Sequence, residues 1–240
     1  MRRGILALLL LSMLMSGAIE QTFVHTMSSD GNSTMAKTMD ISLFATQLPG
    51  SAMQKVESYC RSGGGIVCTM NAGTKVLGIT ETLRPGGYYT YTADYGLPFV
   101  TYTLTVSSLP NDVFAADIDN ILRDANVTTR GSAAVKALDL TDKTGNAESL
   151  PVLKRLKANL TYTVTMPAAI AEAKAGKVKG SVSGPTASFD LLDVMGEGAP
   201  IVVVSRELNS FTLVAILAVL TVGAMSYSFF FPKKKTRGRK

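Results

Sequence analysis

The sequence predicts an α+β fold: an antiparallel, β-sheet-rich extracytoplasmic domain packed on one or two amphipathic helices, plus one C-terminal transmembrane helix. Three observations predict it. Several segments alternate apolar and polar residues with period two; Val100, Tyr102, Leu104 and Val106, separated by Thr101, Thr103 and Thr105, are one example. Residues 110–126 instead repeat apolar residues at i, i+3 and i+4. Phe211 to Phe231 is a run of 21 residues without a charge. At ~1.5 Å rise per residue it spans about 31 Å, close to the roughly 30 Å hydrocarbon core of a bilayer.

From the N-terminus, Arg2 and Arg3 precede the uncharged stretch Gly4 to Gly17, and Ser16-Gly17-Ala18 supplies small residues. A basic start, a short apolar core and a small-residue site read as a secretory signal peptide over residues 1–18, cleaved after Ala18. An uncleaved anchor is one alternative, and a pilin-type signal cut near Arg3-Gly4 is a minor second. Thr22 to Phe44 reads as a β-hairpin around Ser29-Asp30-Gly31-Asn32-Ser33, because Gly and Asn tolerate the positive φ of tight turns. Met35, Met39, Ile41 and Leu43 share one face, with Lys37 as the exception.

Cys60 and Cys68 are the two cysteines, and Gly63-Gly64-Gly65 lies between them. In an exported chain such a pair is expected to form a disulfide that staples a hairpin-like loop. Two cysteines and one distant histidine, His25, are too few for a zinc site. The Gly triplet lacks the Lys-Ser/Thr of a phosphate-binding loop.

Tyr88 to Tyr95 and Phe99 to Ser108 predict a second antiparallel hairpin, separated by Tyr95-Gly96-Leu97-Pro98. Tyr89, Tyr91 and Tyr95 share a face, as an aromatic platform for a ligand or as cross-strand packing. Pro110 and Asn111 open the amphipathic helix, whose apolar stripe is Phe114, Ile118, Ile121, Leu122 and Ala125. Asp117, Asp119 and Asp124 read as its solvated face, without the glycine-bent loop of a calcium site. A short helix over Ser132 to Leu140 and a loop over Thr141 to Asn146 follow. Leu156 to Met166 carries the longest alternation and ends at Pro167. Turns at Gly176, Gly180 and Gly184-Pro185 lead to expected strands at Thr186 to Val194 and Pro200 to Glu207.

The formal net charge of +6 first suggests nucleic acid, but its distribution excludes that reading. Arg2, Arg3, Lys233, Lys234, Lys235, Arg237, Arg239 and Lys240 account for eight of the 24 basic residues. The remaining 16 face 18 acidic residues, so the region between the tails carries −2. The six C-terminal cations follow the apolar run and Pro232, which by the positive-inside bias places them in the cytoplasm. They are candidates for contact with anionic lipid. The expected plan is a signal peptide at 1–18, an extracytoplasmic domain at 19–210, a transmembrane helix at 211–231 and a basic cytoplasmic tail at 232–240. The protein would sit in the plasma membrane with its N-terminal domain outside.

Asn32-Ser33-Thr34, Asn126-Val127-Thr128 and Asn159-Leu160-Thr161 are glycosylation sequons on segments expected to be exposed. Catalytic signatures are weak. His25, the one histidine, lies on an expected strand that points it away from Ser28, Ser29 and Asp30. No nucleophile-elbow, zinc-protease or dinucleotide motif occurs. A hydrolase using carboxylates alone would need a buried, converging pair of acids.

The stretch from Leu160 to Asp193 contains a strand, a Pro at its end, the turn Gly176-Lys177-Val178-Lys179-Gly180 and an aromatic-containing strand. The last strand, Pro200 to Glu207, comes next. Together they resemble the membrane-proximal part of LppM-type extracytoplasmic domains, as does the early Asp30-Gly31 hairpin. Phe189 stands where that family usually has an aromatic such as Trp, and the helix at 110–126 departs from its compact pattern. The resemblance covers about a third of the chain. It implies an exported, membrane-tethered α+β domain without known catalytic residues, touching lipid or envelope components.

The expected function is therefore a non-catalytic ectodomain that binds an envelope or surface component. The expected partners are the lipid bilayer and an envelope or membrane protein, with no nucleic acid and no small-molecule cofactor. Two alternatives remain open. One is an accessory subunit acting through its transmembrane helix, where Ala224 and Ser228 form a small-xxx-small pair. The other is a carboxylate-dependent extracellular hydrolase.

Overall fold

The computed structural model describes residues 20–42, 51–63, 65–127, 150–151, 153–154 and 158–230. The expected signal peptide, the segment from Ser132 to Asn146 and the basic tail lie outside these residues.

Glu20–Met27 (β1) and Ser33–Asp40 (β2) form the first hairpin, as the alternation predicts. Its turn is held by its own side chains. Asn32 donates to Asp30 through its backbone N and through Nδ2, and the single Ser28 hydroxyl proton has the Asp30 carboxylate and the Asn32 carbonyl as acceptors. Gly31 sits at φ +88°, and a Cβ there would strike the Tyr91 ring at 2.9 Å, so glycine is required twice over.

Ala52–Arg61 (α1), Cys68–Asn71 (β3) and Val76–Leu83 (β4) come next. Neither α1 nor β3 is evident from periodicity, whereas β4 alternates Leu77, Ile79 and Leu83 with Gly78, Thr80 and Thr82. Helix α1 buries a short stripe of Ala52, Met53 and Val56, which is too narrow to stand out. Gly78 occupies an outward position of β4 where β3 passes close; a Cβ would lie 2.6 Å from Thr69 Oγ1. The Cys60–Cys68 disulfide forms, but it does not staple a hairpin. It ties the last turn of α1 to the first residue of β3. Gly63, at φ +72°, lets the chain leave the helix.

Tyr89–Tyr95 (β5) and Phe99–Val106 (β6) form the second hairpin, and Asn111–Asp124 (α2) is the expected amphipathic helix. The end of α2 is a Schellman arrangement: Asn126 donates to the Arg123 carbonyl and Val127 to that of Leu122. Asn126 itself adopts φ +54°.

After α2 come Asn159–Thr165 (β7), Ile170–Ala175 (β8), Val178–Lys179 (β9), Ser181–Ser183 (β10) and Thr186–Asp190 (β11). Leu191–Glu197 (α3), Ile201–Leu208 (β12) and Ser210–Phe230 (α4) complete the chain. The strand expected over Thr186 to Val194 stops at Asp190. The Asp190 carboxylate accepts from Leu192 N at 2.8 Å, capping α3, and Gly198 at φ +66° closes it. Leu191, Leu192 and Val194 are buried along the helix, which mimicked a continued strand in the sequence.

The strands form two sheets. One has seven strands in the order β10-β11-β7-β1-β2-β4-β3, the other five in the order β5-β6-β12-β8-β9. The expectation of antiparallel pairing holds for all of these pairs but one: β1 and β7 run parallel, with Phe23 opposite Tyr162 and His25 opposite Val164. Each sheet takes strands from both sides of α2, and the buried faces feed one continuous core. The expected α+β class is present.

Lys37 is the inward-facing charge that the β2 pattern flagged. It is 2% exposed, and its Nζ lies 5.1 Å from the Phe23 ring centre and 5.6 Å from that of Phe114 on α2. Phe23 and Phe114 meet edge to face at 6.2 Å. A desolvated cation between two ring faces gains about 2 kcal/mol from cation–π attraction, which partly offsets its burial.

Replacing both Cys60 and Cys68 by serine frees the end of α1 from β3. It is expected to lower unfolding stability by about 2.5 kcal/mol on loop-entropy grounds. Urea denaturation of the double variant beside the oxidised parent measures this, and an unchanged midpoint would show that the tether adds nothing.

Candidate functional site

Three features carry chemistry: a junction at one end of the five-stranded sheet, a polar line through the core and a half-buried pair of carboxylates.

The junction is where β12 passes into α4. Asn209, 7% exposed, makes it rigid. Its Oδ1 accepts from Phe211 N at 3.0 Å and its carbonyl from Thr212 N at 2.9 Å, which caps the helix. Its Nδ2 donates to the Gly96 carbonyl at 3.2 Å and its backbone N to that of Pro98 at 3.0 Å. One side chain thus locks α4 onto the β5–β6 turn, where the Leu97–Pro98 peptide bond is cis. A groove of about 660 Å³ separates turn and helix, lined by Leu97, Pro98, Phe211, Ile216, Val219 and Leu220 among others. Beyond the junction, every described Leu, Ile, Val, Phe and Met of α4 is exposed. Counting the described side chains, which run from Ser210 to Gly223 and include Met225, no helix is long and apolar enough to cross a membrane. Ala224 and Ser228 lie outside those side chains.

The polar line begins at His25, fully buried on the inner face of β1. Its Nδ1 is 2.7 Å from the Tyr162 hydroxyl, and its ring packs edge to face on Tyr89 at 5.2 Å. The Tyr89 hydroxyl has the Gly31 and Leu83 carbonyls, at 3.0 and 3.1 Å, as acceptors for its single proton and accepts from Ser33 Oγ. Burial lowers the His25 pKa to about 4 and raises that of Tyr162, so the imidazole is neutral and the phenol protonated near pH 7. His25 Nε2 has no hydrogen-bond partner among the described residues. This is a core histidine pinned between two tyrosines, and Ser28 and Asp30 are engaged in the turn instead.

The three tyrosines of β5 do not make a platform. Tyr89 is buried against His25, and Tyr91 stacks on Tyr102 at 6.1 Å. Tyr95 projects outward, 70% exposed. Tyr102 in turn donates to Glu207 Oε1 at 2.6 Å, a bond that pushes its pKa up to about 12.

The carboxylates are Glu81 on β4 and Asp117 on α2. Asp117 belongs to the face of α2 expected to be solvated; it is half-buried and in hydrogen-bond contact with Glu81. Asp119 and Asp124 are exposed, and Asp124 pairs with Arg123 at 3.2 Å. A hydrogen bond between two carboxyl groups requires a proton on one of them. Desolvation first, and then the hydrogen bond and charge of Asp117, raise the Glu81 pKa to about 7. Asp117 Oδ2 is buried and has no hydrogen-bond partner among the described residues. The sequence did hold a signal for this pair. Glu81 shares the parity of buried Leu77, Ile79 and Leu83, as Lys37 shares that of Met35 and Met39.

Asn32, Asn126 and Asn159 are all exposed. They sit respectively in the first turn, at the end of α2 and at the start of β7. Lys233, Lys234, Lys235, Arg237, Arg239 and Lys240 fall outside the described residues.

His25 and Glu81 impose opposite pH dependences. The depressed His25 pKa leaves the folded state with fewer protons than the unfolded chain, so stability is lost as pH falls from 6.5 to about 4. The raised Glu81 pKa gives the folded state more protons, so stability is lost as pH rises from 4.5 to about 7. Glu81→Gln, which stays neutral, is expected to remove the second loss. Urea midpoints across this range should show the variant gaining on the parent with rising pH and then levelling off. Parallel curves would refute the assignment. Searches against protein-family models, curated proteins and solved structures found no match to this chain.

Proposed function

We propose that this chain is a single-pass, membrane-anchored cell-surface protein whose ectodomain binds an envelope or surface component without catalysis. The observation that carries the reading is α4. Its described apolar side chains face solvent from Phe211 to Met225, although burying each would be favourable by about 1.5–3 kcal/mol. An apolar surface of this extent needs a covering. The uncharged run continues to Phe231 and six cations follow, which matches a bilayer span with its tail in the cytoplasm. Thr221 donates its hydroxyl to the Leu217 carbonyl at 2.6 Å, satisfying itself within the helix as a lipid-facing threonine must. The N-terminal signal peptide completes the topology, and the exposed sequons lie on the exported side. The same topology places the basic tail on the inner leaflet, away from nucleic acid. The LppM-type resemblance of the segment from β7 to β12 points the same way.

One observation favours a second reading. Glu81 and Asp117 are the converging acids that a carboxylate hydrolase would require. They meet in hydrogen-bond contact, without the gap of roughly 5 Å or more that separates the acids of a glycosidase. It resembles a dyad sharing one proton, as in aspartic proteases. Cleavage of a peptide library that is lost in both Glu81→Gln and Asp117→Asn would establish this reading over the non-catalytic one.

Full-length protein is expected to stay with membranes through an alkaline carbonate wash, and a variant lacking residues 211–231 to be secreted in soluble form. Release of the full-length protein by carbonate would refute the anchor. Partners that remain bound to the anchorless variant place recognition in the ectodomain; partners lost with residues 211–231 favour an accessory subunit acting through the helix.

A further inference from the structure

We infer that the β5–β6 turn is a second membrane contact, inserted into the outer leaflet beside the first turns of α4. The inference rests on the reading of α4 as a bilayer span. The turn is a strip of exposed apolar side chains: Tyr95 is 70%, Leu97 77% and Phe99 42% exposed. Leu208 is the cross-strand partner of Phe99 and is 51% exposed, and Phe211 extends the strip at 79%. No charged residue occurs from Tyr95 to Phe99.

Geometry commits this strip to lipid. Asn209 bonds the carbonyls of both Gly96 and Pro98 while capping α4, so turn and helix cannot separate without losing the cap. Leu97 and Pro98 line one groove with helix residues as far along as Leu220. From Phe211 to Leu220 the helix advances about 13 Å at its ordinary rise. The apolar run is only just long enough for the hydrocarbon core, so its first turns cannot be left in water. Leu97 and Pro98, fixed alongside those turns, therefore enter the apolar layer with them. Arg206 is exposed two residues before Leu208, where an outer-leaflet phosphate would meet it. Tyr95 stands at the same boundary, where aromatic rings are favoured. Two attachment points, one helix and one turn, would hold the ectodomain in a single orientation on the surface rather than letting it swing about a stalk.

The chain contains no Trp, so one introduced Trp reports its own surroundings. The full chain is reconstituted in phosphatidylcholine vesicles brominated near the headgroup end of the acyl chains. Three variants are read: Leu97→Trp in the turn, Leu217→Trp in α4, and Ala116→Trp on the exposed side of α2. Asp112 of that helix bonds Tyr88, at the opposite end of β5 from the turn. Leu97→Trp is expected to emit to the blue and lose on the order of half its emission to bromine, consistent with insertion about 5–10 Å into the interface. Ala116→Trp should be unaffected. Phe99→Trp repeats the reading from the other side of the turn. Quenching in Leu217→Trp but in neither turn variant overturns the insertion and leaves the anchor intact. No quenching in Leu217→Trp overturns the anchor and the insertion with it.

Discussion

Strand β1 pairs antiparallel with β2 and parallel with β7, and the rest of the structure depends on that double pairing. Without it the N-terminal hairpin would be an isolated ribbon beside β4 and β3, and β7 would have β11 alone. With it, Phe23 and His25 come to the middle of a seven-stranded sheet. Phe114 and Lys37 then close over Phe23, while Tyr162 and Tyr89 close over His25. Parallel pairing needs a long crossover, and here the whole chain from β2 to α2 lies between the two strands.

The core that results carries polar groups at its centre. His25, Lys37, Gln21, Ser33 and Ser205 are all buried. Such groups cost free energy unless they are bonded or neutral, and the molecule uses both remedies. His25 is held uncharged, and Tyr89 has its hydroxyl fully engaged. Glu81 keeps a proton to higher pH than an ordinary glutamate. These arrangements favour one specific packing of the two sheets, since moving one sheet would strand several polar atoms at once.

The apolar end follows a different logic. There the domain exposes hydrophobic groups and uses the buried Asn209 to fix the direction in which α4 leaves. A flexible linker would have let the helix take any angle. A capped joint transmits the orientation of the helix to the five-stranded sheet, and through the shared core to the rest of the domain.

The sequence by itself determined the elements whose side chains alternate strongly. Both hairpins, the β7 strand and α2 are legible because apolar burial imposes period two on a half-buried strand and 3.6 on a helix. It also determined where charge is carried, since the tails announce themselves by composition. It located the disulfide through two cysteines that had no other candidate, though not what the bond joins. Short, weakly patterned elements such as α1 and β3 became visible only in the fold, because their stability comes from contacts distant in sequence. The α3 helix was hidden for the opposite reason: buried residues on consecutive positions look like a strand until Asp190 is seen capping them. The meeting of Glu81 with Asp117, and of His25 with Tyr162, belongs to tertiary structure alone. Each residue showed a trace in its own segment, a polar group at an apolar parity or beside an apolar stripe. Which groups would face one another was decided by how β4 meets α2 and how β1 meets β7, and no local pattern records that.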